Sequence, residues 1–145
     1  MKKMPQTRTQ RVVLYVEDSA FDMALVEQLI ARRADLKLLK AIDAYSGIKI
    51  AKEERPDVIV MDIKLPDITG FEALKILSND PATANIPVMA VSCDAYPNQI
   101  EKELKPGFFT YMTKPFKLDE FMHMLDLSLQ YAASVKKPPT ALQDH

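Results

Sequence analysis

Asp57-Val58-Ile59-Val60-Met61-Asp62 is the stretch that decides the fold. Four apolar residues stand between two carboxylates with no polar break, which reads as a strand buried on both faces. Such a strand belongs to a parallel sheet covered by helices, and it delivers its last residue to the carboxyl edge, where α/β proteins bind ligands. The run Val12-Val13-Leu14-Tyr15-Val16 repeats the pattern and ends in Glu17-Asp18. Three acidic groups therefore arrive at strand ends. That set asks for a cation and makes one carboxylate a candidate nucleophile.

Strand-like runs fall at 12–17, 36–42, 57–61, 87–92 and 108–112, with helical periodicity between them and after the last. Ser19 suits a helix N-cap with Asp22 at the third helical position, and Phe21, Leu25, Leu29 and Ile30 follow at helical spacing. Lys37 and Lys40 interrupt the second run, which places it nearer a sheet edge. A short helix over 45–54 stops at Pro56, and another runs from Gly70 to Leu77 with Phe71, Leu74 and Leu77 on one side. Pro97 opens a fourth, reaching about Leu104, and the last spans Asp119 to about Ala133 with Phe121, Leu125, Leu129 and Ala132 inward. Five strands alternating with five helices predict a parallel sheet covered on both faces.

With 145 residues, 48% hydrophobic and 27% charged, the chain has the make-up of one soluble globular domain. A net charge of −1 gives no basic excess for nucleic acid or an anionic membrane. Cys93 is the single cysteine, so no intrachain disulfide forms and a reducing, cytoplasmic setting is expected. Met1 to Gln10 lacks the apolar core of a secretory signal, and no apolar run has the length of a membrane span.

Three carboxylates in one pocket repel one another unless a counter-charge is present. Magnesium suits them, because it takes one or two carboxylates together with water and phosphate oxygens. Asp18 and Asp62 are the expected direct ligands, with Glu17 acting through water. A lone acid at a strand end is as readily a helix cap; the set of three is not. Lys114 ends the last strand-like run, and its ammonium can pair with a carboxylate and then with a phosphoryl oxygen. Pro115 biases Lys114 towards extended backbone, unlike an ordinary surface lysine. Ser92 closes the Val88-Met89-Ala90-Val91 run; alone it reads as a capping serine, and at that edge its hydroxyl could also donate to a phosphoryl oxygen.

The chain resembles the receiver domain of two-component response regulators, the CheY-like superfamily, over residues 11 to 133. Glu17-Asp18, the segment from Asp62 to Gly70, Ser92 and Thr113-Lys114-Pro115-Phe116 stand in the family's order and approximate spacing. The resemblance implies a flavodoxin-like five-stranded sheet of order 2-1-3-4-5. The receiver is expected over 11–133, after a flexible segment over 1–10 and before a flexible tail over 134–145, which holds Lys136-Lys137-Pro138-Pro139 and little apolar content. Asp62 matches the aspartate that accepts a phosphoryl group from a sensor histidine kinase or phosphotransfer protein. Asp18, Asp62 and the Lys64 backbone carbonyl match the Mg²⁺ ligands, and Glu17 the outer acidic position. Lys114 matches the phosphate-binding lysine, Ser92 the switch hydroxyl and Tyr111 the switch aromatic.

By this resemblance the protein is a signalling switch that assists its own phosphorylation and dephosphorylation, not an enzyme in the usual sense. Its downstream target is expected to meet the last two helices and last strand, and phosphorylation-dependent homodimers are consistent with the family. No effector domain is expected beyond residue 133, so the chain reads as a stand-alone receiver or as a piece of a hybrid histidine kinase. A haloacid dehalogenase-type phosphohydrolase also uses an aspartyl nucleophile and Mg²⁺, but needs a second aspartate where Lys64 stands. A flavodoxin-like FMN carrier needs a phosphate loop, and Glu17-Asp18-Ser19-Ala20-Phe21 would repel phosphate. An interaction module with vestigial phosphorylation would not need the full set Asp18, Asp62, Ser92 and Lys114. Departures from the family pattern include Cys93, where alanine is usual, and Phe108-Phe109 before Tyr111, of which at least one is expected to pack inward. Lys64 and Asp94 are expected to face each other across the site mouth.

Overall fold

Val58, Ile59, Val60 and Met61 have no solvent exposure, as a central strand requires. The computed structural model describes residues 10–93 and 107–136. Strands β1 (Arg11–Val16), β2 (Leu36–Ala41), β3 (Val58–Asp62), β4 (Val88–Ser92) and β5 (Thr110–Thr113) form one parallel sheet. Their order, β2-β1-β3-β4-β5, is the expected one. Among the described residues the helices are α1 (Ala20–Ala31), α2 (Ala44–Glu54), α3 (Gly70–Ser78) and α4 (Leu118–Lys136). The helix expected over Pro97 to Leu104 lies outside the described residues.

Side chains alternate along each strand and so feed two cores. On one face Val13, Tyr15, Val58, Val60, Met89 and Val91 pack with Val26, Leu29 and Ile30 of α1 and Phe121, Leu125 and Leu129 of α4. On the other, Leu14, Val16, Ile59 and Met61 meet Ala44, Ile48 and Ala51 of α2 and Ala73, Leu74 and Leu77 of α3. β2 is an edge strand, as its lysines imply, and Lys37 and Lys40 are exposed.

Local signals set the helix ends. The Ser19 side chain accepts from the Asp22 N–H, Asp43 caps α2, and Thr69 and Glu72 form a reciprocal capping box on α3. Phe21 is a correction: it is 77% exposed rather than inward. The buried face of α1 runs through Val26, Leu29 and Ile30. Phe21 sits about 130° around the helix from the middle of that face, at about 100° per residue. The last helix continues past Ala133 to Lys136. Phe108 packs against the core and meets Phe71 edge-on at 5.8 Å, whereas Phe109 is exposed and lies against Tyr131 at 5.1 Å.

Candidate functional site

Strand register brings the chemistry together. Val16 pairs with Met61, Asp62 with Val91 and Ser92 with Thr113, so four strands end at nearly one level. The ladder continues one step beyond the strands: the Glu17 N–H donates to the Ala41 carbonyl at 2.9 Å, and the Lys114 N–H to the Ser92 carbonyl at 2.8 Å. Glu17, Asp18, Asp62, Ser92 and Lys114 are thereby carried to the same sheet edge. Glu17, Asp62 and Ser92 are buried, and Asp18 is exposed.

Lys114 is the hub. Its Nζ donates to Glu17 Oε1 at 2.7 Å, Asp22 Oδ2 at 2.8 Å and Asp62 Oδ2 at 3.0 Å, and its side chain is 9% exposed. An ammonium has three donors, and all three are used. Glu17 is itself held, accepting from the Tyr15 hydroxyl at 2.8 Å and the Ser19 N–H at 3.1 Å. Asp62 accepts at its other oxygen from the Lys64 N–H at 3.0 Å. The Lys114–Pro115 peptide is cis.

The charge balance explains the titration. Burial acts to discharge Lys114, but its bonds to Asp22, Glu17 and Asp62 outweigh that and raise its pKa. Burial pushes the Glu17 carboxyl up and Asp62 adds to the rise, against the downward pull of Lys114 and Tyr15. The two directions are compatible: one ammonium is shared by Glu17, Asp22 and Asp62, with the Asp18 carboxylate beside Glu17 and Asp62. Burial and the neighbouring Glu17 likewise push the Tyr15 phenol up. Glu17, Asp18 and Asp62 each place an oxygen within 4.8 Å of the others, a hard all-oxygen set that fits Mg²⁺.

The loop from Asp62 into α3 is pinned at both ends. The Gly70 N–H donates to the Ile63 carbonyl at 2.8 Å. A Cβ on Gly70 would lie 2.9 Å from both the Asp62 carbonyl oxygen and Ile63 Cα, so only glycine lets α3 start this close to the Asp62 backbone. Asp67, in the same loop, accepts from the Ala44 and Tyr45 N–H groups at 2.9 and 2.8 Å and so caps α2 from outside its own chain segment. Desolvation works against the Asp67 carboxylate, but the Tyr45 and Ala44 amides prevail and lower its pKa.

Of the residues singled out in the sequence, Glu17, Asp18, Asp62 and Lys114 meet directly, and Ser92 shares their edge. Tyr111 is half-buried in β5 opposite Ala90, two residues back from Ser92 along that pairing. Asp94 lies outside the described residues, and with it the expected Lys64–Asp94 pair. Asp22 joins the site although the sequence did not mark it as a site residue. It read as a capping acid, yet only its N–H joins the cap; its carboxylate turns to Lys114. The N-cap N–H that a longer glutamate would have claimed is taken by Glu17. The available signal was position: the first turn of a helix that follows Glu17-Asp18 overhangs the same edge.

The response regulator receiver domain family matches residues 13–126 of the chain. The polar-differentiation response regulator DivK of Brucella anthropi is 32% identical over 113 residues, which span 78% of this chain and 91% of that protein. The chemotaxis response regulator CheY4 of Vibrio cholerae superposes with a TM-score of 0.76 at 26% identity, covering 83% of this chain and 99% of that one. The receiver domain of the sensor histidine kinase PA1611 from Pseudomonas aeruginosa, with a magnesium ion coordinated in its active site cleft, gives a TM-score of 0.76. It is 24% identical and is matched over 83% of this chain and 98% of that one, a likeness of fold.

Proposed function

The chain belongs to the response regulator receiver domain family, and on that premise we propose that it is a phosphorylation-dependent switch with Asp62 as phospho-acceptor. The observation that carries this reading is the 3.0 Å contact of Lys114 with Asp62 at an edge where three carboxylate oxygens lie within 4.8 Å of one another. The phosphoryl donor is a histidine kinase or phosphotransfer protein, a partnership that fits a cytoplasmic location. Among the described residues no helix is long and apolar enough to cross a membrane. The receiver spans residues 11–133, and its last helix extends three residues further.

Asp18, Asp62 and the Lys64 backbone carbonyl would hold Mg²⁺, with Glu17 reaching it through water; the magnesium in the PA1611 receiver supports that choice. When bound, the ion supplies charge neutralisation at the phosphoryl oxygens. A carboxylate oxygen of Asp62 attacks the phosphorus of a phosphohistidine. The O–P bond forms as the N–P bond breaks, and the imidazole leaves with a proton from solvent. Lys114, held charged by its carboxylate partners, turns the donor it gave Asp62 towards a phosphoryl oxygen. Ser92 donates its hydroxyl to another, and Tyr111 on the neighbouring strand follows Ser92 inward. That rearrangement alters the surface of β5 and the helices beside it, where a downstream protein or a second copy of the chain docks.

Acetyl phosphate with Mg²⁺ tests the reading. The intact protein is expected to gain the mass of one phosphoryl group, and chelation or Asp62→Asn is expected to abolish the gain. Undiminished labelling of Asp62→Asn would sink the assignment.

A further inference from the structure

We propose that Asp22 is a positioning residue for phosphoryl transfer: with Glu17 it brackets the Lys114 ammonium so that the third proton is aimed at Asp62. The proposal rests on the phospho-acceptor reading of Asp62 and adds to it a residue outside the set matched by resemblance.

A lysine side chain is long and its ammonium rotates freely, so an unrestrained Lys114 would spread its donors over many directions. Here two acceptors fix it. Glu17 is clamped by the Tyr15 hydroxyl and the Ser19 N–H, and contacts Nζ at 2.7 Å. Asp22 is set by the first turn of α1, where its N–H bonds to Ser19 Oγ at 3.2 Å, and contacts Nζ at 2.8 Å. The tetrahedral ammonium then has one proton left, and Asp62 Oδ2 receives it at 3.0 Å, the longest of the three bonds. On phosphorylation that bond alone needs to change. The acceptor moves from the carboxylate to a phosphoryl oxygen while the bracket stays in place. Preorganised donors of this kind are worth most where charge develops during reaction.

A purely structural ion pair predicts something else. The Asp22 side chain is 27% exposed, and pairs open to water add little to stability. The first turn of α1 is capped through the backbone of residue 22, which survives replacement of the side chain. A purely electrostatic role predicts the opposite sign. An extra carboxylate repels an incoming phosphoryl group, so removing it would speed labelling.

The test compares labelling by acetyl phosphate at saturating Mg²⁺ for wild type, Asp22→Ala, Asp22→Asn and Asp62→Asn. Asp22→Ala is expected to lower the maximal rate roughly tenfold with unchanged half-saturation, less than the roughly hundredfold cost of losing a directly stabilising donor. Asp22→Asn keeps an oxygen that accepts from Lys114 and is expected to stay within about threefold of wild type. Asp22→Ala labelling at or above the wild-type rate would overturn the proposal, as would Asp22→Asn being as slow as Asp22→Ala. The wild-type melting temperature in both variants excludes a folding defect as the cause. Persistent labelling of Asp62→Asn would instead bring down the underlying reading, so the two failures are separable.

Discussion

Gly70→Ala perturbs the site through its backbone. The new Cβ would meet the Asp62 carbonyl oxygen and Ile63 Cα at 2.9 Å and Ile63 Cδ1 at 3.1 Å. Ordinary contacts to carbon need about 3.4 Å or more, so α3 and the end of β3 must part by about 0.5 Å. The two closest atoms are backbone, and the bond from the Gly70 N–H to the Ile63 carbonyl resists the parting. Such crowding costs about 1–3 kcal/mol, and the better helix propensity of alanine offsets up to about 1 kcal/mol. A net loss of about 1–2 kcal/mol lowers the melting temperature by roughly 3–10 °C in a domain of this size. Gly107→Ala is the control. Its Cβ would press on Leu74 Cδ2 at 2.7 Å, the end of a side chain that can rotate, so a loss under about 1 kcal/mol is expected. Thermal unfolding by circular dichroism gives the stabilities, and phosphoryl labelling gives the effect on Asp62. Gly70→Ala is expected to be the less stable variant and the slower to label. Wild-type stability and labelling in Gly70→Ala would refute the packing argument.

Two further substitutions probe the charges. Lys114→Ala strips the ammonium from buried Glu17 and Asp62, and should cost about 3 kcal/mol in the absence of divalent cations. Mg²⁺ should recover part of that loss and raise the melting temperature of the variant more than that of wild type; equal shifts would contradict the charge balance. Asp67→Ala removes the second of two acids that cap α2, leaving Asp43 in place, and should cost about 1 kcal/mol at neutral pH. Because folding lowers the Asp67 pKa, its contribution is present above the unfolded value and lost as pH falls through the folded one. The gap between wild type and Asp67→Ala in chemical denaturation should therefore close below about pH 4; a gap that widens on acidification would reverse the sign.

Much of this was legible because single residues carried unambiguous signals. The unbroken run before Asp62 specified a doubly buried strand, and Lys37 and Lys40 specified an edge. Strand ends then dictated which acids and which lysine would meet. The last helix ran on to Lys136 because nothing stops it before Pro138 restricts the residue ahead of it. What was hidden depends on angles and distances that spacing does not encode. Asp22 had two physically sound uses; Glu17 holds the Ser19 N–H, and the Asp22 carboxylate meets Lys114. Phe21 fitted a helical repeat but fell outside the arc that meets the sheet. Asp67 caps a helix more than twenty residues earlier in the chain, and Gly70 matters for space rather than for backbone angle; neither fact has a local sequence mark.

Borohydride trapping reads out which carboxylate carries the phosphoryl group. An aspartyl phosphate formed with acetyl phosphate and Mg²⁺ is reduced to homoserine, which peptide mapping locates. Homoserine is expected at position 62 alone, and none after chelation of Mg²⁺. Homoserine at Asp18 or Asp22, or a phosphoryl group that survives at a hydroxyl residue with position 62 unmodified, would contradict the Asp62 assignment.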